Sequence, residues 1–301
     1  MVMQTEEAYK PFSERKRMTR LGEEVARMLR RANRPLIEDH DLWEIMVSIY
    51  KGRTVGYLRG DSPTLPTLAR IKELLKSERI ISRDHDYARV WRLTEVPNVQ
   101  ADEAVCILDE GTCISHLSAM QKFNLTDRRP RTLFLTVATK DEWREIIKGR
   151  VKLGEGGHQR TRRHHPPVVR SRELDILHTK SFPHTTQMKS SFVRTTEIGE
   201  TFLNMLENPE RCGGMSHVLD VYSKHASDYL GPIVRSIDKT DIKLTKVRAG
   251  YILTEMLGIR NDAAEGWVRF AQRGGSQRLD PKAPYAPKFS ERWMISINVR
   301  P

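Results

Sequence analysis

The chain has 301 residues, and 51 Lys and Arg against 39 Asp and Glu give a formal net charge of +12. Apolar residues make up 38%, and they recur at regular spacing, which excludes a disordered chain and predicts about two domains. No run of about 18 apolar residues occurs and the first residues carry no apolar signal core, so neither a membrane-spanning helix nor a secretory leader is predicted.

Cys106, Cys113 and Cys212 are too few and too scattered for a disulfide framework or a C-x-x-C zinc site, which predicts a reducing, cytoplasmic setting. The positive charge is clustered. Residues 10–34 hold nine basic and three acidic residues, net +6, and residues 148–172 hold eight basic and one acidic, net +7. Between them, residues 95–112 are net −5. Clustered cations beside a folded module point to contact with a phosphate backbone; a solvated surface is the alternative.

Residues 18–31 read as an amphipathic helix with Leu21, Val25, Met28 and Leu29 on one stripe, Arg20, Arg27, Arg30 and Arg31 around it, and Asn33-Arg34-Pro35 at its end. A second helix is predicted over 41–50, with Asp41 as cap, Glu44 completing a capping box, and Leu42, Ile45, Met46 and Ile49 inward. A third opens with Ser62 as N-cap and Pro63 at the first helical position. Leu65, Leu68, Ile71, Leu74 and Leu75 form its apolar face; Pro66, Ala69, Arg70, Glu73 and Lys76 point the other way. A hairpin follows: Ile80-Ile81-Ser82, a polar tip over 83–86, and a β-rich run from Tyr87 to Leu93.

Helix, helix and two-stranded ribbon is the order of a winged helix-turn-helix, which sets its last helix in the major groove and its ribbon along the backbone. On that reading Arg70 can fork onto a guanine, Lys76 can reach phosphate, Glu73 can accept from a cytosine amino group, and Arg83, His85 and Arg89 on the wing are backbone contacts. Residues 35–94 hold ten basic and nine acidic residues, so DNA affinity would lean on the basic segment 10–34. Docking of a protein partner is the competing use of the same module.

Beyond an acidic linker over 95–103, Ala104–Leu108 reads as a buried strand, 114–124 as a short helix opening near Ser115, and Thr132–Ala138 as a strong strand. Gly154–Gly157 beside Arg160, Arg162 and Arg163 could cradle a phosphate, but no G-K-[ST] follows, so a surface loop is the simpler reading. Strands are predicted over 173–178, 191–195 and 293–299. Thr196 is taken to cap a helix from Glu197 to Leu206, with Ile198, Phe202, Leu203 and Leu206 inward. Helical spacing covers 216–229 and 241–257, the latter with Ile242, Val247, Ile252, Leu253, Met256 and Leu257 inward.

Catalytic motifs are missing from the sequence. Five of the ten histidines fall within 158–184, at spacings that fit no standard zinc pattern and suit a surface loop. S-x-x-K matches such as those at Ser13 and Ser236 lack the partner motifs of penicillin-binding sites. Gly213-Gly214-Met215-Ser216 with Asp220 has only a faint likeness to a nucleotidyltransferase turn and lacks paired metal-binding carboxylates.

Two blocks resemble AbiEi-type antitoxins, the regulator half of type IV abortive-infection toxin–antitoxin operons in bacteria. Ile114-Ser115-His116-Leu117-Ser118-Ala119, with Leu125-Thr126-Asp127 and the strand TLFLTVA, is similar to that family's Ser-His-Leu-Ser-Ala helix, Leu-Thr-Asp turn and following strand. The second block, SFVRTTEIGETFLNMLENPERCGG, RAGYILTEMLGI and LDPKAPYAPKFSERWMISINV, is similar to its later helices and Leu-Asp-Pro…Trp closing strand. With the N-terminal module the resemblance spans roughly residues 35–301. It implies an α+β protein with a winged helix-turn-helix over 35–94, the linker over 95–103 and an antitoxin domain over 104–301; the basic helical extension over 1–34 departs from the family's usual short start.

The resemblance further implies a repressor of its own promoter, bound at inverted repeats, that neutralises a nucleotidyltransferase-type toxin with or without a stable complex. Arg160, Arg162 and Arg163 would suit an acidic toxin, or the RNA it modifies. The expectation is a non-enzyme, monomeric or dimeric, with no cofactor, metal or membrane. The alternative is a winged-helix phage-defence effector or sensor whose C-terminal domain acts on nucleic acid.

Overall fold

Capping and proline rules place the first helices. In the computed structural model, which describes residues 18–148, 162–272 and 277–299, α1 spans Arg20–Ala32. Thr19 caps it, its Oγ1 accepting from Gly22 N, and Asn33 closes it in the left-handed region at φ 49°. The strand β1 (Leu36–Glu38) leads directly into α2 (Asp39–Gly52). The capping box therefore lies three residues earlier than Asp41–Glu44: Glu38 is the cap and Asp41 its N3 partner, accepting from Glu38 N at 2.7 Å. Pairing of β1 holds Glu38 extended, so the helix nucleates just after it.

The third helix, α3 (Leu65–Ser77), is capped by Thr64 and not by Ser62. Capping at Ser62 would put Pro66 at the fourth helical position, where its N–H is needed and its ring meets a carbonyl; capping at Thr64 puts it in the first turn, where neither holds. The later start leaves Leu65 57% exposed, while Leu68, Ile71, Leu74 and Leu75 are buried. The hairpin strands are β2 (Ile81–Arg83) and β3 (Val90–Leu93). β3 is central, pairing antiparallel with β2 (Ser82 opposite Arg92) and with β1 (Ile37 opposite Trp91).

The chain divides into two units, the first ending at Asn98 and the second opening at Val99. In the first, Leu21, Val25, Ala26 and Leu29 of α1 share a core with Leu42, Met46 and Ile49 of α2, Leu68, Ile71 and Leu75 of α3, and Ile37, Ile81 and Trp91 of the sheet. The helix of the basic segment is thus part of this unit's core. The basic residues among 1–17 lie outside the described residues.

The second unit begins with α4 (Ala101–Leu108), a helix where a strand is predicted and which starts inside the acidic linker. Its run ADEAVCIL is buried almost throughout, and a short apolar run without periodicity does not separate a strand from a helix buried on all sides. There follow β4 (Thr112–Ile114), α5 (His116–Lys122), β5 (Leu133–Ala138), α6 (Lys140–Lys148), β6 (Val168–Val169), β7 (Arg172–Thr179), β8 (Thr185–Gln187) and β9 (Arg194–Thr196). They form a six-stranded mixed sheet in the order β6-β7-β5-β4-β9-β8, with β5/β7 and β4/β9 parallel.

Further helices follow the sheet in the chain and share a core with α5: α7 (Ile198–Glu207), α8 (Met215–His225), α9 (Leu230–Lys239), α10 (Lys243–Gly250), a π-helical turn over Tyr251–Met256, and α11 (Asp262–Gly266). Glu197, not Thr196, takes the cap position of α7, and Thr196 Oγ1 lies 2.8 Å from Thr201 Oγ1 instead. Gly199 lets α9 approach α7, since a Cβ there would lie 2.3 Å from the Pro232 carbonyl oxygen. The helix predicted from 241 starts only at Lys243 and leaves Ile242 51% exposed. The closing strand shrinks to β11 (Ile295–Ser296), antiparallel to β10 (Phe289–Ser290). The architecture is α+β.

Candidate nucleic-acid interface

The outer face of α3 is open. Pro66, Ala69, Arg70 and Glu73 are exposed and Lys76 is half-buried, because the other side of the helix carries the leucines of the core. Among the described residues no side-chain hydrogen bond or ion pair engages Arg70. Glu73 and Lys76 neutralise each other: Lys76 Nζ donates to both carboxylate oxygens at 2.8 and 2.9 Å. That bond holds the Glu73 carboxyl below its ordinary range, so it stays anionic. Lys76 also lies 5.6 Å from the Trp91 ring centre. For Lys76 to reach a phosphate it must leave Glu73, and a surface ion pair is weak enough to exchange.

The inner edge of α3 is pinned. Asp39, the first residue of α2, accepts from Lys72 Nζ at 2.8 Å and from Trp91 Nε1 at 3.0 Å. Lys72 sits 5.4 Å from the Trp91 ring centre. One carboxylate thereby fixes the helix against β3, so Lys72 is structural while Arg70 faces solvent.

On the hairpin, Arg83, His85 and Arg89 are exposed, and no side-chain hydrogen bond or ion pair engages them among the described residues. The tip differs from the predicted one. Asp84 is buried and its Oδ1 accepts from Asp86 N at 3.0 Å and Tyr87 N at 3.1 Å. This aspartate turn consumes Tyr87–Arg89, which a β-propensity reading assigns to the strand. Arg89 is held at φ 59°.

The basic residues of α1 are partly spent. Arg30 forks onto Glu95 with bonds of 2.8–3.1 Å, and Arg27 bonds Glu24 at 2.8 Å. The contribution predicted for this segment is thus reduced to Arg20 and Arg31 among its described helical arginines. In its place, Arg20 and Arg59 join Arg70 along a cleft of about 620 Å³. Sequence reasoning missed Arg59 and Tyr57 there; the signal was Gly56-Tyr57-Leu58-Arg59-Gly60, an aromatic and a cation in a turn between glycines.

Arg160 and Gly154–Gly157 lie outside the described residues. Arg162 Nη2 stands 3.4 Å from His178 Nδ1, and Arg163 is half-buried nearby in the chain. His165, expected on a surface loop, is only 1% exposed at its side chain and its Nε2 lies 2.9 Å from Thr112 Oγ1. Burial holds its pKa below the ordinary range against the pull of Asp109. Among the described residues no group of three or more His, Cys, Asp or Glu could hold a metal ion. No described helix is long and apolar enough to cross a membrane.

No protein-family model matches the chain, and no curated protein matches it. Among solved structures it is similar to the RV2827C protein from Mycobacterium tuberculosis, at 10% identity and a TM-score of 0.49 over 93% of this chain and 92% of that one.

Proposed function

We propose that the first unit is a winged helix-turn-helix that binds DNA, with α3 in the major groove and the β2–β3 hairpin along the backbone. The observation that carries this reading is the open face of α3, where Arg70 is exposed and free of ion pairs among the described residues. The hairpin cations Arg83, His85 and Arg89 support it, since they face solvent and offer no sequence preference of their own. We further propose that the chain is a cytoplasmic autorepressor and antitoxin acting on a nucleotidyltransferase-type toxin. That part rests on the sequence blocks around Ile114–Ala119 and from Ser191 to Val299 that resemble AbiEi-type antitoxins.

Binding to the DNA upstream of the protein's own reading frame, followed by fluorescence anisotropy at several salt concentrations, tests the first part. Arg70→Ala is expected to weaken binding by about 1–3 kcal/mol and to relax preference at one base pair. Arg83→Ala and Arg89→Ala are expected to weaken all sequences alike and lower the salt slope by about one each. An Arg70→Ala protein with unchanged operator affinity rejects the placement of α3. For the second part, reversing charge at Arg160, Arg162 and Arg163 together should abolish neutralisation of the co-expressed toxin while leaving promoter binding intact; undiminished protection rejects that role.

A further inference from the structure

The first unit carries a concave site that duplex recognition does not require. A cleft of about 620 Å³ opens between the start of α1, the turn after α2 and the start of α3, a volume within the range of small-molecule sites. Three arginines, Arg20, Arg59 and Arg70, line it and no carboxylate does. None of the three is in an ion pair among the described residues. The first turns of two helices also face it: Thr19–Leu21 of α1 and its cap, and Pro66 and Thr67 of α3. Each helix is 13 residues long, so each start presents the positive end of a full helix dipole. Every fixed charge and dipole at this cleft favours an anion.

The turn adds a flat apolar surface. Tyr57 is 93% exposed and its backbone is held at φ 65°, a conformation a bulky residue adopts at a local penalty. One face of its ring is supported by Arg20, whose guanidinium carbon stands 5.5 Å from the ring centre. A tyrosine pushed into water beside unpaired arginines offers a platform for a planar ring, and base–aromatic stacking tolerates any base.

We infer that this cleft binds a nucleotide with an unpaired base: the phosphate between Arg20, Arg59 and Arg70, the base on Tyr57. A duplex does not satisfy the site, because its bases are already stacked; a free nucleotide or an unpaired strand end does. Arg70 belongs both to the cleft and to the outer face of α3. A phosphate in the cleft draws its guanidinium off that face, so occupancy of the cleft opposes duplex binding. This consequence, unlike the nucleotide site itself, rests on the DNA-binding reading above.

Titration calorimetry of the full chain with 5′-AMP, with a five-nucleotide single strand and with inorganic phosphate tests the site. Saturable binding of 5′-AMP identifies a free nucleotide as the ligand, and binding of the oligonucleotide alone identifies a strand end. Tyr57→Ala should weaken either about five- to 150-fold, the range of one base–aromatic stack, and leave the weaker binding of phosphate unchanged. Arg59→Ala should weaken all three. The inference is overturned if neither nucleotide probe binds at millimolar concentration, or if Tyr57→Ala and Arg59→Ala bind them as the unaltered chain does. Thermal unfolding of both variants, expected to match the parent because both residues are exposed, guards against misfolding. Adding the bound nucleotide to a preformed duplex complex should release the duplex from the parent and not from Arg59→Ala. A chain that binds no duplex at all removes the DNA-binding reading and leaves the calorimetric result standing.

Discussion

Trp293→Ala is expected to lower the unfolding free energy by about 3–5 kcal/mol, the range for removing a fully buried large aromatic ring, read as a fall in the urea midpoint at unchanged slope. Trp293 is completely buried in the core of the second unit, although it lies near the end of the chain. Its ring occupies the notch left by Gly250 at the end of α10: a Cβ on Gly250 would lie 2.0 Å from one ring carbon and 2.2 Å from the next. The glycine is there for lack of bulk, since α10 continues past it with ordinary helical dihedrals. Gly250→Ala is therefore destabilising despite alanine's better helix propensity, because overlap at that distance displaces the ring. The two sites are coupled. With Trp293→Leu in the background, Gly250→Ala should lose most of its effect, and strictly additive changes would show that the ring and the notch are independent.

Between pH 7 and pH 5 the folded chain is expected to lose about 2 kcal/mol of stability on account of His116 alone. His116 is fully buried, with Nδ1 2.7 Å from Ser115 Oγ. Burial, aided by the charge of Arg211, pushes its pKa down to about 3. In the unfolded chain the same imidazole takes its proton near pH 6.5. The unfolded state thus binds the extra proton throughout the interval from about 6.5 to 3, and stability falls as the pH falls through it. His165, also held below its ordinary range by burial, adds a loss of the same sign. Glu200 and Glu207 act oppositely, since burial holds both above the ordinary carboxylate range and the folded state keeps their protons longer as the pH rises. Denaturant unfolding at pH 7, 6 and 5 checks the slope. His116→Asn is the diagnostic variant: His116 sits at φ 49°, which asparagine tolerates, and asparagine does not titrate. It should remove about 2 kcal/mol of the pH 7-to-5 difference, and a variant whose stability changes with pH as the parent's does would contradict a neutral buried His116.

Much of the first unit was legible because its helices are amphipathic over three or more turns. Leu68, Ile71, Leu74 and Leu75 can share only one side of a helix, so the opposite side, with Ala69, Arg70 and Glu73, followed from periodicity whatever residue caps it. The strand β1 was not legible: Leu36–Glu38 carries no alternation, and it is a strand because β3 lies beside it. Likewise Ala104–Leu108 is apolar enough for either structure, and burial on every side chose the helix.

The candidate site divides in the same way. Residue types and spacing by themselves determined that α3 presents Arg70 outward and that exposed cations follow on a hairpin, since covalent periodicity fixes which side chains share a face. Tertiary structure alone decided which charges remain available. Glu95 takes Arg30 and Asp39 takes Lys72. Arg20, Tyr57, Arg59 and Arg70 meet at one cleft although 50 positions separate the first from the last. Pairing depends on distances of a few ångströms between side chains far apart in the chain, and only the packed helices set those distances.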